Sequence, residues 1–272
     1  MKRLWIAFAL VMIFSFLILG WIGTRIYQEM PPIPDKFVTT DGHTLVDSQE
    51  IGAGQNVWQS MGGMQVGSVW GHGSYVAPDW TADWLHREAN FILDQWADDE
   101  FGKPFADLDG ERQGQLTGRL AEQLHTNTYD KSTGIATISP IRAAAFESNV
   151  EHYRTVFMDG NADYAIPAGA ISSEDRLRKL AAFYFWTSWA AVTTRPGDIA
   201  SYTNNWPHEP LVGNLPTGDN IVWTGVSVIV LLAGISAMAW WYASRKEEEE
   251  EGPQHASDPL ALWEATPSQK AT

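Results

Sequence analysis

The sequence predicts a mainly α-helical membrane protein, with two transmembrane helices flanking an extracytoplasmic helical domain that carries small β-hairpins. Three observations predict it. Residues 4–22 and 221–243 are almost wholly apolar runs, each close to the roughly 20 residues that a bilayer-spanning helix needs. The polar block between them shows apolar residues recurring at helical spacing over several stretches. Basic pairs, Lys2-Arg3 and Arg245-Lys246, flank the outer end of each run and place both termini in the cytoplasm by the positive-inside tendency.

The first run, assigned to 4–24, is read as a retained anchor. Its apolar core exceeds the roughly 7–15 residues of a signal-peptide core, and Gly20-Trp21-Ile22-Gly23 is a poor cleavage site. Trp21, Tyr27, Trp223, Trp240, Trp241 and Tyr242 stand near the ends of the two spans, where amphipathic rings favour the membrane interface. The external domain is assigned to 30–218. It opens with Met30-Pro31-Pro32-Ile33-Pro34, a stiff extended connector. Residues 37–46 alternate loosely around Asp41-Gly42 and predict a short hairpin. Asp47-Ser48 caps a helix to about Ser60, with Ile51, Val57 and Trp58 as its stripe.

A glycine-dense stretch, residues 62–80, follows and leads at Asp79 into a helix marked by Trp84, Leu85, Ile92 and Trp96. Asp107 or Asp109 opens the next helix, with Leu116, Leu120 and Leu124 on one face. Residues 126–139 read as a second hairpin, and Ser139-Pro140 as the cap and first position of a helix to about Met158. Ser172 and Asp175 have capping-box spacing before a helix whose part at 180–192 is apolar all round. That face is expected to be buried in the domain or against another chain. Arg195-Pro196-Gly197 stops it, and a proline- and asparagine-rich loop at 201–217 leads to the second span, 221–243. Residues 244–272 read as a cytoplasmic acidic linker, with a short apolar island at Leu260-Ala261-Leu262-Trp263.

Charge and composition exclude several function classes. A formal net charge of −15 argues against nucleic acid as a partner, because phosphate contacts need a basic face. With no cysteine, the chain can form neither disulfides nor the thioether bonds of a c-type haem. The seven histidines are scattered without ligand spacing, so no transition-metal site and no catalytic centre can be read from them. His86 and Glu88, two apart on a helix, point in different directions. Asp98-Asp99-Glu100 and Asp107/Asp109 sit at helix ends, where capping accounts for them. Gly71-His72-Gly73 lacks the rest of a nucleotide fingerprint. The 14 tryptophans suit either an aromatic ligand pocket or burial in core and membrane, and burial is favoured. The glycine stretch itself has two readings, a loop that merely turns tightly, or one whose carbonyls ligate a hard cation such as calcium.

Two long motifs then stand out. Residues 71–88 read Gly-His-Gly-Ser-Tyr-Val-Ala-Pro-Asp-Trp-Thr-Ala-Asp-Trp-Leu-His-Arg-Glu, and 204–214 read Asn-Asn-Trp-Pro-His-Glu-Pro-Leu-Val-Gly-Asn ahead of a Trp-containing span. Together they closely resemble the quinol-dependent nitric oxide reductases, membrane enzymes of the haem–copper oxidase superfamily that serve the respiratory chain in denitrification. The resemblance covers essentially the whole chain. It implies an extracytoplasmic domain of cytochrome c-like fold between two spans, similar to the small cytochrome c subunit of two-subunit reductases. The haem motif of that subunit falls on Gly63-Met64-Gln65-Val66-Gly67, which has neither cysteine nor histidine, so a domain without covalently bound haem is expected.

The resemblance also implies a calcium ion at the interface with the catalytic partner, with Gly73 and Tyr75 as the matching positions and the acidic ligands supplied from outside this chain. Haem b and non-haem iron are expected only in a catalytic membrane region beyond Thr272, on the same polypeptide or a separate subunit. This chain is therefore expected to be a fragment or split-gene product that contributes an architectural part of a multi-pass inner-membrane enzyme. The alternatives are a two-span membrane receptor with an extracytoplasmic sensor domain and a haem-free assembly subunit.

Overall fold

A computed structural model describes residues 2–71, 73 and 78–250, with side chains at 5–71, 73 and 78–244. The chain divides at Thr217/Gly218 into two compact units. The first begins with helix α1 (Lys2–Glu29), whose side chains from Trp5 onward are almost all solvent-facing and apolar. The second consists, among the described residues, of helix α7 (Gly218–Glu250). Both contain segments long and apolar enough to cross a membrane, Trp5–Glu29 and Gly218–Ser244. Helix α7 also runs on to Glu250, into the segment expected as an acidic linker. The island at 260–263 lies outside the described residues.

Between Pro31 and Thr217 the described residues form five α-helices and a small sheet. Strands β1 (Lys36–Thr39) and β2 (Thr44–Asp47) form the first expected hairpin, and β3 (Tyr129–Asp130) and β4 (Ile135–Ile138) the second. The two are not separate. Strand β1 pairs in parallel with β4, from Lys36 opposite Ile135 to Thr39 opposite Ile138, giving one mixed sheet of order β2-β1-β4-β3. A parallel pair needs a long crossover, supplied here by α2 (Ser48–Ser60), α3 (Trp80–Phe101) and α4 (Gly110–His125). Local alternation of residues carries no trace of such a distant pairing.

Helix α2 starts at a full capping box. The Asp47 carboxylate accepts from the Glu50 amide at 2.9 Å, and the Glu50 carboxylate accepts from the Asp47 amide at 3.0 Å. The capping box expected at Ser172 and Asp175 does not form. The N-cap of α6 (Glu174–Val192) is Ser173, which makes no side-chain cap bond, and Asp175 pairs instead with Lys179 one turn on. Helix α5 (Pro140–Arg154) has proline at its start as expected and ends in a single π turn, Thr155–Asp159, closed by Gly160.

Helix α6 is the axis of the domain. Every residue from Leu180 to Val192 is buried, in contact with α2, α3 and α5. Its all-round apolar surface is therefore satisfied within the domain, and this helix does not offer a face to a partner. The close approach of α2 depends on Gly54, where a Cβ would come within 3.0 Å of the Lys179 carbonyl and of Phe183. Backbone cannot yield as a flexible side chain does, so Gly54→Ala is expected to destabilise the domain by about 1–3 kcal/mol. Urea unfolding of the purified protein measures this, and an unchanged midpoint would refute the packing argument.

Two cores flank α6. One is aromatic and joins Phe37, Trp80, Trp84, Phe146, Tyr153, Phe157, Tyr184, Phe185 and Trp189. The other is aliphatic, with Leu85, Ile92 and Leu93 of α3 against Leu116, Leu120 and Leu124 of α4. The leucine spacing read from the sequence marks that second face correctly.

Candidate functional site

The first motif runs from the glycine stretch into the start of α3, the second is a loop, and each is organised by one carboxylate. In the first, Asp79 is the N-cap of α3, accepting from the Ala82 amide at 3.0 Å. Its other oxygen accepts from the Ser68 hydroxyl at 2.7 Å and the Gly71 amide at 2.6 Å. The strand-like bridge of Ser68 to Asp79, with Ser68 N–H donating to the Pro78 carbonyl at 3.1 Å and Trp80 N–H to the Ser68 carbonyl at 2.8 Å, closes the base of the loop. Trp70 then nails it to α6. Its indole donates to the Thr187 carbonyl at 2.9 Å, and its ring packs against Trp186 at 5.3 Å between centroids.

Glycine is required at two places here. At Gly67 (φ 148°) a Cβ would lie within 3.0 Å of the Trp80 indole and the Pro78 carbonyl. At Gly71 (φ 72°) it would collide with the indole of Trp206. Trp206 belongs to the second motif, so the two motifs meet there. They meet again where His86 Nδ1 lies 2.8 Å from the buried carboxylate of Glu209. Glu209 also accepts from the Leu211 amide at 3.0 Å, while its backbone exchanges two 3.0 Å bonds with Asn214. Asn205 fastens the other end of that loop, bonding Ser201 through both its amide and its side chain, and the Leu215 carbonyl.

Beneath the glycine loop lies a dense aromatic centre. Trp80, fully buried, stacks on Tyr184 at 5.5 Å and 14°, with Tyr153, Phe157 and Tyr164 around it. The Tyr153 hydroxyl donates to Asp83 at 2.9 Å, and Arg87 bonds the same carboxylate oxygen at 3.0 Å. Burial, with Asp83 beside it, pushes the Tyr153 phenol well above the usual tyrosine range, and burial does the same to Tyr184. Burial, reinforced by the Arg87 charge, lowers His152. These are structural polar groups, with no nucleophile–base pair among them.

Gly73, expected near a cation, has φ 63°, and a Cβ there would meet no described atom within 4 Å. Gly73 is exposed. Tyr75 lies outside the described residues. Among the described residues there is no group of three or more His, Cys, Asp or Glu that could hold a metal ion. The described residues by themselves therefore offer no acidic cluster for a calcium ion. A c-type haem does not fit the residues present either. The sequence has no cysteine to form its thioether bonds.

Sequence reasoning missed Asp79 as the clamp of the loop and Trp206 as its lid. The cap position of Asp79 was legible, but its second oxygen's partners, eight and eleven residues back, follow no local rule. Asp79→Ala is expected to destabilise the domain by about 1–2 kcal/mol through loss of the cap alone. It should also free the loop, with faster proteolysis or amide exchange at 67–73. A stability loss with unchanged exchange there would contradict the clamp.

No curated protein matches the chain significantly. Residues 34–208 match the family of the NorB cytochrome c-like domain, NorB being a nitric oxide reductase component. That match takes in the sheet, the five helices of the domain, the glycine loop and the start of the second motif. With its two apolar helices the chain is membrane-associated. The chain belongs to the NorB cytochrome c-like domain family of the nitric oxide reductases, which are oxidoreductases.

Proposed function

We propose that this chain is the architectural, extracytoplasmic N-terminal part of a quinol-dependent nitric oxide reductase, with the catalytic centre on a membrane region outside it. The whole enzyme joins two nitric oxide molecules, taking two electrons and two protons from one quinol, to give nitrous oxide and water. The observation that supports this reading best is the mutual clamping of the two motifs, Gly71 under Trp206 and His86 on Glu209. Such a construction fixes a backbone loop in space and performs no chemistry of its own.

In this reading the domain lies on the outer face, with both termini cytoplasmic, as the basic pairs at the outer ends of the apolar runs favour. The glycine loop lies over the haem edge of the catalytic region. The Gly73 and Tyr75 positions lend oxygen ligands to a calcium ion that partner carboxylates and haem propionates complete, since hard cations accept ligands from several chains.

Co-expression with the downstream membrane region tests the proposal. Co-purification and nitric oxide turnover that depends on this chain support it. A stable ectodomain that captures a small ligand and needs no membrane partner would show a receptor instead, and assembly without any effect on turnover would show an assembly subunit. At Gly73 no described atom lies within 4 Å of an added Cβ, and the left-handed backbone costs a leucine about 1–2 kcal/mol. Gly73→Leu is therefore expected to leave the domain folded while lowering turnover and calcium content of the assembled enzyme. Unchanged turnover and metal content would remove Gly73 from the interface.

A further inference from the structure

Among the described residues between Pro31 and Thr217, the most exposed large apolar side chain is Ile199, at 85%. It stands on the turn that follows α6. Arg195 N–H donates to the Ala200 carbonyl at 2.9 Å and Asp198 N–H to the Arg195 carbonyl at 3.2 Å, while Thr194 bridges Ser201 across the base. We infer that this turn is a membrane contact, with Ile199 entering the edge of the bilayer beside the end of α1.

Two contacts set the level of the turn. The Trp186 indole donates to the Pro32 carbonyl at 2.9 Å, and further along the chain Arg195 Nη1 pairs with the Glu29 carboxylate at 3.2 Å. Going from Pro32 back to Glu29 leads to the apolar segment Trp5–Glu29, and going from Trp186 on to Arg195 leads the same way. The end of α6 therefore descends toward the end of α1, and the turn at 196–199 comes next. The Arg195–Ala200 bond keeps Ile199 within one residue of that level. The polar layer of a bilayer is roughly 5–8 Å deep on each side of its hydrocarbon core, so a side chain at this height meets lipid. Ile33, next to Pro32, is a second exposed aliphatic chain here.

The chemistry of the turn favours lipid over a docked protein. Its polar groups are met from within: Arg195 pairs with Glu29, Asp198 and Asn204, and the Asp198 carboxylate accepts from the Ile199 amide at 2.7 Å and the Ala200 amide at 3.3 Å. Entry into a less polar layer thus strips no hydrogen bond from these groups. A stable protein interface needs about 800 Å2 from each partner. Around Ile199 the exposed neighbours are Pro196, Gly197 and Asp198, which offer no wide apolar face. A bilayer edge accepts a single aliphatic chain, and burial of that chain is favourable by itself. The inference needs α1 to cross the bilayer and is independent of the catalytic role proposed above.

The chain has no cysteine, so one introduced thiol carries a fluorophore at a single place. The test uses the full chain in phosphatidylcholine nanodiscs, with and without bromine on the acyl chains close to the headgroup. Ile199→Cys replaces an exposed side chain and leaves the core untouched. Its label is expected to lose at least ~twofold of its emission to brominated lipid, as for a group held in the interfacial layer. Phe14→Cys, within α1, should also be quenched, and Lys103→Cys, just after α3, should not. An unquenched label at Ile199 beside a quenched one at Phe14, or equal quenching at Ile199 and Lys103, would overturn the contact. An unquenched Phe14 label would remove α1 from the bilayer and the contact with it. Quenching at Ile199 that vanishes when the downstream membrane region co-assembles would give the turn to that protein instead of lipid. Nitric oxide turnover enters none of these readings, so failure here leaves the proposed function standing.

Discussion

Glu88→Gln is expected to destabilise the domain by about 3–5 kcal/mol, because it leaves the Arg142 guanidinium without a neutralising charge in the interior and replaces one of the two acceptor oxygens by an N–H donor. The pair is tight and dry: Arg142 Nε to Glu88 at 2.6 Å, with the two side chains 5% and 1% exposed. Glu88 also accepts from the Trp84 indole at 3.2 Å, so its removal strikes the aromatic core and the α3–α5 contact together. For a domain of this size the loss corresponds to a fall in Tm of roughly 6–20 °C. Replacing both partners by apolar residues of similar volume should recover most of it, since a buried ion pair is worth far less than its halves cost when exposed singly. Chemical unfolding of the single and double variants decides this. A single-variant loss under about 1 kcal/mol would mean that water reaches the pair.

Trp80→Ala should cost a similar amount, about 3–5 kcal/mol, for a different reason. Trp80 is fully buried, and its ring is shared between Tyr153, Phe157, Tyr164 and Tyr184. Rigid rings cannot collapse into the space that it leaves, so the cavity persists. The same ring explains Gly67, whose missing Cβ leaves room for the indole edge. Trp80→Phe, which keeps an aromatic ring, is expected to lose clearly less. Equal losses for the two would show that the indole, and not the filled volume, is what matters at this position.

Much of the architecture was legible in the chain because it depends on local rules. Asp47, Asp79 and Asp109 are caps, Leu116, Leu120 and Leu124 form a stripe, and Pro140 starts α5, each by the chemistry of a single turn. The failures have equally local causes. Ser172 had the spacing for a cap, but the helix begins one residue later, where Ser173 stands. The apolar run at 180–192 announced burial, yet composition does not say by what. The surrounding helices α2, α3 and α5 answer that, and they remove α6 from the partner surface.

The candidate site divides along the same line. Glycine density, the absence of cysteine and the two motifs were plain in the sequence, and the motif resemblance matched the family found for residues 34–208. That the motifs touch each other was not. Gly71 meets Trp206 and His86 meets Glu209 across more than a hundred residues, and no periodicity encodes contacts at that separation.

By itself, then, the sequence determined two apolar helices, a helical domain with two hairpin signals, and a glycine loop without the chemistry for a covalent haem, because each follows from residue type and short spacing. Only the tertiary structure decided that the hairpins share one sheet through the parallel β1–β4 pair, that α6 is enclosed, and that Asp79 and Trp206 fix the loop. Those depend on which distant surfaces close over one another, and burial, not local propensity, selects them.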